Sequence, residues 1–191
     1  MQMEVVDAAD APMSWTARAK MALASVIFRH RVLNRWAHKQ LPTKRLAAAV
    51  LLTDGAGRLL LVKPSYRGNW LIPGGIVERN EPPWLGARRE VQEEIGIEIG
   101  RLRLVALDWR SSDDEYDDSL HFLFDGGDLS AEQQANIRCD GVEIEQHRFA
   151  TKTEAEQMMD PHLLRRCLPC WGGEGGRLLI MNRGEDDPGA F

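Results

Sequence analysis

Glu90, Glu93 and Glu94 crowd into the run Arg89-Glu90-Val91-Gln92-Glu93-Glu94. If this stretch is helical, residues at i, i+3 and i+4 share a face, and the three carboxylates repel by a few tenths of a kcal/mol per pair. No Lys or Arg stands at the matching spacing on that face to relieve them. Hard oxygen donors gathered in this way suit Mg²⁺ or Mn²⁺, which are commonly held by a few carboxylates together with substrate phosphates. The alternative for these residues alone is a solvated acidic helix face.

The flanking residues say how the glutamates are positioned. Pro82 and Pro83 mark a helix start and Gly96 a helix end, which predicts a helix over 82–95. Trp84, Ala87, Val91 and Ile95 would form its buried stripe, and Gly86 would leave room beside the acids. Ahead of the helix, Gly74 and Gly75 follow the short apolar run Trp70-Leu71-Ile72. Together these residues fill every position of G-x5-E-x7-R-E-U-x-E-E-x-G-U, U being aliphatic: Gly75, Glu81, Arg89, Glu90, Val91, Glu93, Glu94, Gly96 and Ile97. With about 6% usage per residue type, a chance match in a chain this long is on the order of one in a million. The pattern is the Nudix box, and the protein resembles the Nudix hydrolase superfamily.

The resemblance covers roughly residues 45–170 and implies an α/β/α sandwich with a mixed central sheet. It implies hydrolysis of a diphosphate linkage in a nucleoside diphosphate joined to another moiety, with Mg²⁺ or Mn²⁺. Glu90 and Glu94 would be core metal ligands, joined by the backbone carbonyl of Gly74. Glu93 would be a further ligand or the base that activates water. Arg89 would orient a glutamate and tie the loop to the helix, and Gly75 and Glu81 would support the loop. Asn80 replaces a glycine common in relatives, and Asn tolerates a left-handed turn. Extra ligands in this superfamily often come from outside the box, and Glu143 and Glu145 before Phe149 are candidates, as is the acidic loop over 113–118. Tyr66, Arg67 and Trp70 would stack on a base or bind a phosphate. His121, alternating with Leu120 and Phe122, would face the cleft. The substrate class stays open.

The rest of the chain fits one domain with an extension: 45–183 as the catalytic domain, 1–44 preceding it, and 184–191 as a flexible acidic tail. Among its 191 residues, 43% are hydrophobic and 28% charged, with net charge −5. Residues 14–45 nevertheless hold eight Lys or Arg and no acid. Within them Trp15, Ala19, Ala22, Val26, Leu33 and Trp36 recur at near-helical spacing, predicting a basic helix over about 15–39. Docking on its own domain, or on a second copy in a homodimer, is expected in preference to contact with nucleic acid or membrane. No apolar run approaches the length of a membrane span, and acids precede any basic residue at the N-terminus. A cytoplasmic protein is the expectation.

Strands are expected over 46–53 and 58–63 about the turn Asp54–Gly57, over 70–72, 97–108, 119–124 and 143–149, and as an edge strand over 177–182. Ser130 with Gln133 signals a capping box, and Thr153 with Glu156 opens a last helical region. Cys167-x-x-Cys170 has metal-like spacing but no second pair, so reduced structural thiols are expected. Two other functions share the fold: a nucleotide-binding regulatory module, against which the complete set of glutamates argues, and an isoprenoid diphosphate isomerase, which needs a cysteine that the box region lacks.

Overall fold

The computed structural model describes residues 19–20, 43–111, 117–172 and 177–186. The predicted basic helix therefore lies outside the described residues but for Ala19 and Lys20, which are helical. From residue 45 the elements run β1 (Arg45–Thr53), β2 (Leu59–Pro64), β3 (Gly74–Ile76), α1 (Pro83–Ile95), β4 (Arg103–Arg110), β5 (Ser119–Asp128), α2 (Ala131–Asn136), β6 (Ile144–Ala150), α3 (Lys152–Met158), α4 (Pro161–Cys167), β7 (Leu179–Asn182) and β8 (Glu185–Asp186).

One sheet takes the order β6-β2-β1-β5-β4-β7-β8, with β3 also paired to β1. β1 runs parallel to β5 and β4 to β7, and the other pairings are antiparallel. The sheet is thus mixed, as expected. Its apolar runs are long because both faces are covered. In β1 and β2, Val50, Leu52, Leu60 and Val62 join one core with Ala87, Val91 and Ile95 of α1. Leu51, Leu59 and Leu61 join the other with Ala155 of α3 and Leu164 and Cys167 of α4. An α/β/α sandwich results.

Several local readings shift. The strand expected over 70–72 is reduced to isolated bridges at Trp70 and Leu71, and the glycine pair itself forms β3 against Ala47–Ala49. Residues 97–102 are not strand, and β4 begins at Arg103. The last helical region is two helices. Its capping box is Thr151 with Glu154, two residues earlier than expected, and Asp160 caps α4 through the N–H groups of His162 and Leu163. β7 is not an edge strand, because Glu185 and Asp186, expected in a flexible tail, pair with it as β8. Cys167 is buried, and burial pushes its thiol up to about 12. Cys167 and Cys170 belong to the core, as structural thiols do. Among the described residues, no helix is long and apolar enough to cross a membrane.

The β1–β2 hairpin depends on Asp54, which is buried at 3% exposure. Its carboxylate accepts from the backbone N–H groups of Ala56 and Arg58 and from the Arg58 guanidinium. Burial alone would raise its pKa, but these donors, led by the Arg58 N–H, hold it below the usual carboxylate value. Asp54→Ala removes the acceptor of the Ala56 and Arg58 N–H groups, which solvent can then reach, and should cost about 1 kcal/mol. The measurement is the urea midpoint, which should fall with the slope of the transition unchanged.

Candidate active site

β3 and α1 bring the glutamates to a glycine floor. Gly74 sits at φ 148, and a Cβ there would fall 2.4 Å from the Ala48 carbonyl oxygen, so only glycine fits. A Cβ on Gly75 would lie 2.5 Å from the Glu90 carboxylate. The second glycine is therefore the space that Glu90 occupies. Gly86 makes similar room, for Glu81: its Cβ would lie 2.8 Å from Glu81 Oε2. Asn80 adopts φ 64, the left-handed turn expected of it, and Gly96 caps α1 at φ 72.

Arg89 binds this region together. Its Nε donates to Glu81 Oε1 at 3.0 Å and its Nη2 to Glu81 Oε2 and to the Ile76 carbonyl, both at 3.1 Å. Its Nη1 donates to Glu90 Oε1 and Glu93 Oε2, both at 2.9 Å. The acidic cluster thus has a cation after all. Arg89 precedes Glu93 by four residues, so the two share a face of α1 and the sequence reading overlooked a pair that the spacing itself marks. These bonds, Glu81 first, raise the Arg89 pKa further, and Arg89 in turn depresses that of Glu81.

The three box glutamates have different surroundings. Glu93 is the most open, its side chain 59% exposed. Glu90 is half-buried, and burial, with Glu93 and Glu143 nearby, raises its pKa against the pull of Arg89. Glu94 is buried at 6% exposure and accepts from the Gly74 N–H at 3.0 Å. It does not share the outward acidic face expected for it. It lies seven residues after Ala87, about 20° away on the helix, and so enters the buried stripe. Trp84, expected in that stripe, is 51% exposed in the first turn. Burial pushes the Glu94 pKa up to about 8, helped by Glu90, Glu143 and Asp140 and opposed by the Gly74 N–H. Carboxyl groups perturbed in this way are typical of functional sites.

A cleft of about 980 Å³ opens beside the glycine floor. Of the expected residues, Gly74, Gly75, Arg89, Glu90, Glu93, Glu143, Tyr66, Arg67 and His121 line it. Glu94 lies behind Gly74 rather than in the lining. Glu81 also stays outside, bracing the loop through the Glu78 N–H and Arg89. Trp70 is not in the cleft either; it packs against the core and bonds through its backbone to Met158. Glu145 is exposed and away from the lining. Glu143 is carried by a turn that Asp140 holds, accepting from the N–H groups of Val142, Glu143 and Ile144. Burial, then the nearby Glu143 charge, raises the Tyr66 pKa. Of the acidic loop, Asp117 and Asp118 lie within the described residues, and Asp118 pairs with Lys44 at 2.5 Å. The sequence reading missed Arg110, His162, Arg166 and Arg183, which also line the cleft. They sit on β4, α4 and the β7–β8 turn, far from the box in the chain, and no local spacing marks them.

Among the described residues, no three acidic, imidazole or thiol groups converge into a ready-made metal cage. The donors still suit a hard divalent cation, which needs only one or two protein carboxylates when water and substrate phosphates complete its shell. Glu94 is a buried carboxyl whose pKa burial raises to about 8, and a nearby cation would favour its ionised form.

Comparison with known proteins agrees with this geometry. A family model described as NUDIX domain matches residues 43–169. A "MutT-like protein" of Streptomyces ambofaciens is 38% identical over 58 residues, covering 30% of this chain and 38% of that protein. "Diphosphoinositol polyphosphate phosphohydrolase 2" of Rattus norvegicus is 42% identical over 62 residues, covering 31% and 35%. The match thus spans little more than a third of either curated relative. In fold, the chain is similar to the MutT protein of Methanosarcina mazei Go1: TM-score 0.56 at 22% identity, covering 72% of this chain and 99% of that one.

The raised Glu94 pKa has a sign that can be checked. Between about 4.5, its ordinary value, and about 8, the folded chain binds a proton that the unfolded chain has released. Stability from this group is complete below that window and falls as pH rises through it. In chelator-treated protein, urea midpoints should decline across the window more steeply for the wild type than for Glu94→Gln. Parallel profiles would count against the shift.

Proposed function

The chain belongs to the NUDIX family, and from that premise we propose that it hydrolyses a diphosphate linkage in a nucleoside diphosphate joined to another moiety, using Mg²⁺ or Mn²⁺. The observation that carries the reading is Glu90 and Glu93 converging with Gly74 and Gly75 at the floor of a cleft large enough for a nucleotide.

In this proposal Glu90, Glu93 and Glu94, with the carbonyl of Gly74, hold the cation. When bound, it polarises the phosphoryl group and lowers the pKa of a coordinated water. The chain's own residues do the rest. Glu93 is the most accessible of the three carboxylates and is the base toward water; its bond to Arg89 keeps it aimed. Glu90 is fixed by Arg89 on one side and the glycine floor on the other. Arg89 acts by orienting these groups, since its own donors are occupied by Glu81, Glu90, Glu93 and Ile76. Glu143, across the cleft, supplies a further carboxylate to the same charge balance. Tyr66, exposed at the cleft, offers an aromatic face to a base, with Arg67 near its ring.

The test is product release from a panel of nucleoside triphosphates, nucleotide sugars, ADP-ribose, NADH and dinucleoside polyphosphates, with Mg²⁺ or Mn²⁺. Turnover of one class should require the metal. Glu94→Gln should lower kcat by about a hundredfold or more, because several kcal/mol of barrier lowering depends on the cation. Its far-UV circular dichroism should match wild type. Tight nucleotide binding without metal-dependent turnover would point instead to a regulatory module.

A further inference from the structure

Among the described residues that line the cleft, Glu90, Glu93 and Glu143 gather toward one end with Arg67 and Arg89, and Arg110, Arg166 and Arg183 toward the other with Asp160. Across the sheet its lining runs from Glu143 before β6, past Glu90 and Glu93 at β3, to His121 on β5, Arg110 on β4 and Arg183 after β7. Arg166 descends from α4 to the same basic end. A metal-neutralised diphosphate accounts for the acidic end. The basic end lies several strands away and is left without a role by that chemistry.

It is also a built arrangement. Asp108 on β4 is fully buried, and it holds both elements that carry the distant arginines. Its Oδ2 accepts from Arg166 Nε at 2.6 Å and pairs with Nη2 at 2.5 Å. Its Oδ1 accepts from the Gly184 N–H at 2.9 Å, pinning the Arg183-Gly184 turn between β7 and β8. That turn is wedged against α4: a Cβ on Gly184 would fall 2.9 Å from the His162 carbonyl oxygen. Arg183 itself takes φ 54, a left-handed conformation costly for a residue with a side chain, and such strain gathers at functional sites. Its Nε donates to Ser111 Oγ at 2.9 Å, so its charge meets a neutral partner there. His121 adds an acceptor rather than a charge. Burial, then Arg166, pushes its pKa down to about 4, and its Nδ1 stands 3.4 Å from Arg166 Nη1 while Nε2 bonds Ser119. Asp160, also in the lining, spends its carboxylate on the start of α4.

We propose that Arg110 and Arg183, set in place around the buried Asp108–Arg166 pair, form a second anion subsite that binds a phosphate group borne on the substrate outside the diphosphate that is cleaved. Guanidinium groups bind phosphate through paired, charge-assisted hydrogen bonds. The substrate is then a diphosphate compound with at least one further phosphate. This rests on the hydrolase reading above, and the test separates the two.

The experiment compares kcat/KM for the full chain, with Mg²⁺, on pairs differing by one phosphate: ADP-ribose with its 2′-phosphate, and dephospho-coenzyme A with coenzyme A. In at least one pair the phosphorylated member should be favoured about tenfold or more, and Arg183→Gln or Arg110→Gln should bring that ratio toward one. No preference in the wild type, or a ratio unmoved in both variants, overturns the subsite. Equal slowing of both members overturns it too, because the arginines would then grip the cleaved diphosphate. If no pair is turned over, the hydrolase reading is judged on the wider panel above, and calorimetric titration of tripolyphosphate decides the subsite. About tenfold weaker binding in Arg183→Gln upholds the subsite; equal binding sinks it.

Discussion

The guanidinium of Arg89 makes five contacts that fasten the loop after β3 to the middle of α1. Without it, Glu81, Glu90 and Glu93 would repel one another, and the Ile76 carbonyl would have no tie to the helix. One positive charge against three negative ones leaves the region acidic, and burial, with Glu93 and Glu143 nearby, keeps the Glu90 pKa raised even with Arg89 in contact. The glycines follow from the same constraint. A strand, a loop carboxylate and a helix carboxylate can approach this closely only where positions 75 and 86 lack a side chain.

Asp108 is the counterpart at the other end of the cleft. A fully buried carboxylate is costly unless it is paired and its lone pairs are met, and Arg166 with the Gly184 N–H meet them. The two ionic centres belong to helices on opposite faces of the sheet, α1 and α4. Between them, Ala47, Ala48 and Ala49 of β1 line the cleft with small side chains, so the sheet leaves depth there rather than filling it. The sandwich thus serves as a spacer that sets an acidic and a basic group apart along one channel.

Much of this was legible along the chain, because local chemistry is written locally. Pro83 and Gly96 bound α1 as their conformational limits require, and Ser130 with Gln133 forms the capping box expected of them. Asn80 takes the left-handed turn. The misreadings share a cause. Trp84 fits the apolar stripe by angle, yet the first turn of α1 leaves it exposed. Glu94 was grouped with Glu90 by spacing, while its place near Ala87 on the wheel put it under Gly74. Thr151 and Thr153 both precede a glutamate by three residues, and the end of β6 at Ala150 selected the first.

The sequence by itself determined the family, most of the strands, the box helix and the residues that converge on the glycine floor, because these follow from spacings within about twenty residues. Only the tertiary structure decided which glutamate is buried, that Arg89 also ties Glu81 and the Ile76 carbonyl, and that Arg110, Arg166 and Arg183 line the same cleft. Those outcomes depend on strand order and on which helix covers which face. Residues 58 to 76 positions apart in the chain become neighbours through pairings that no local pattern encodes.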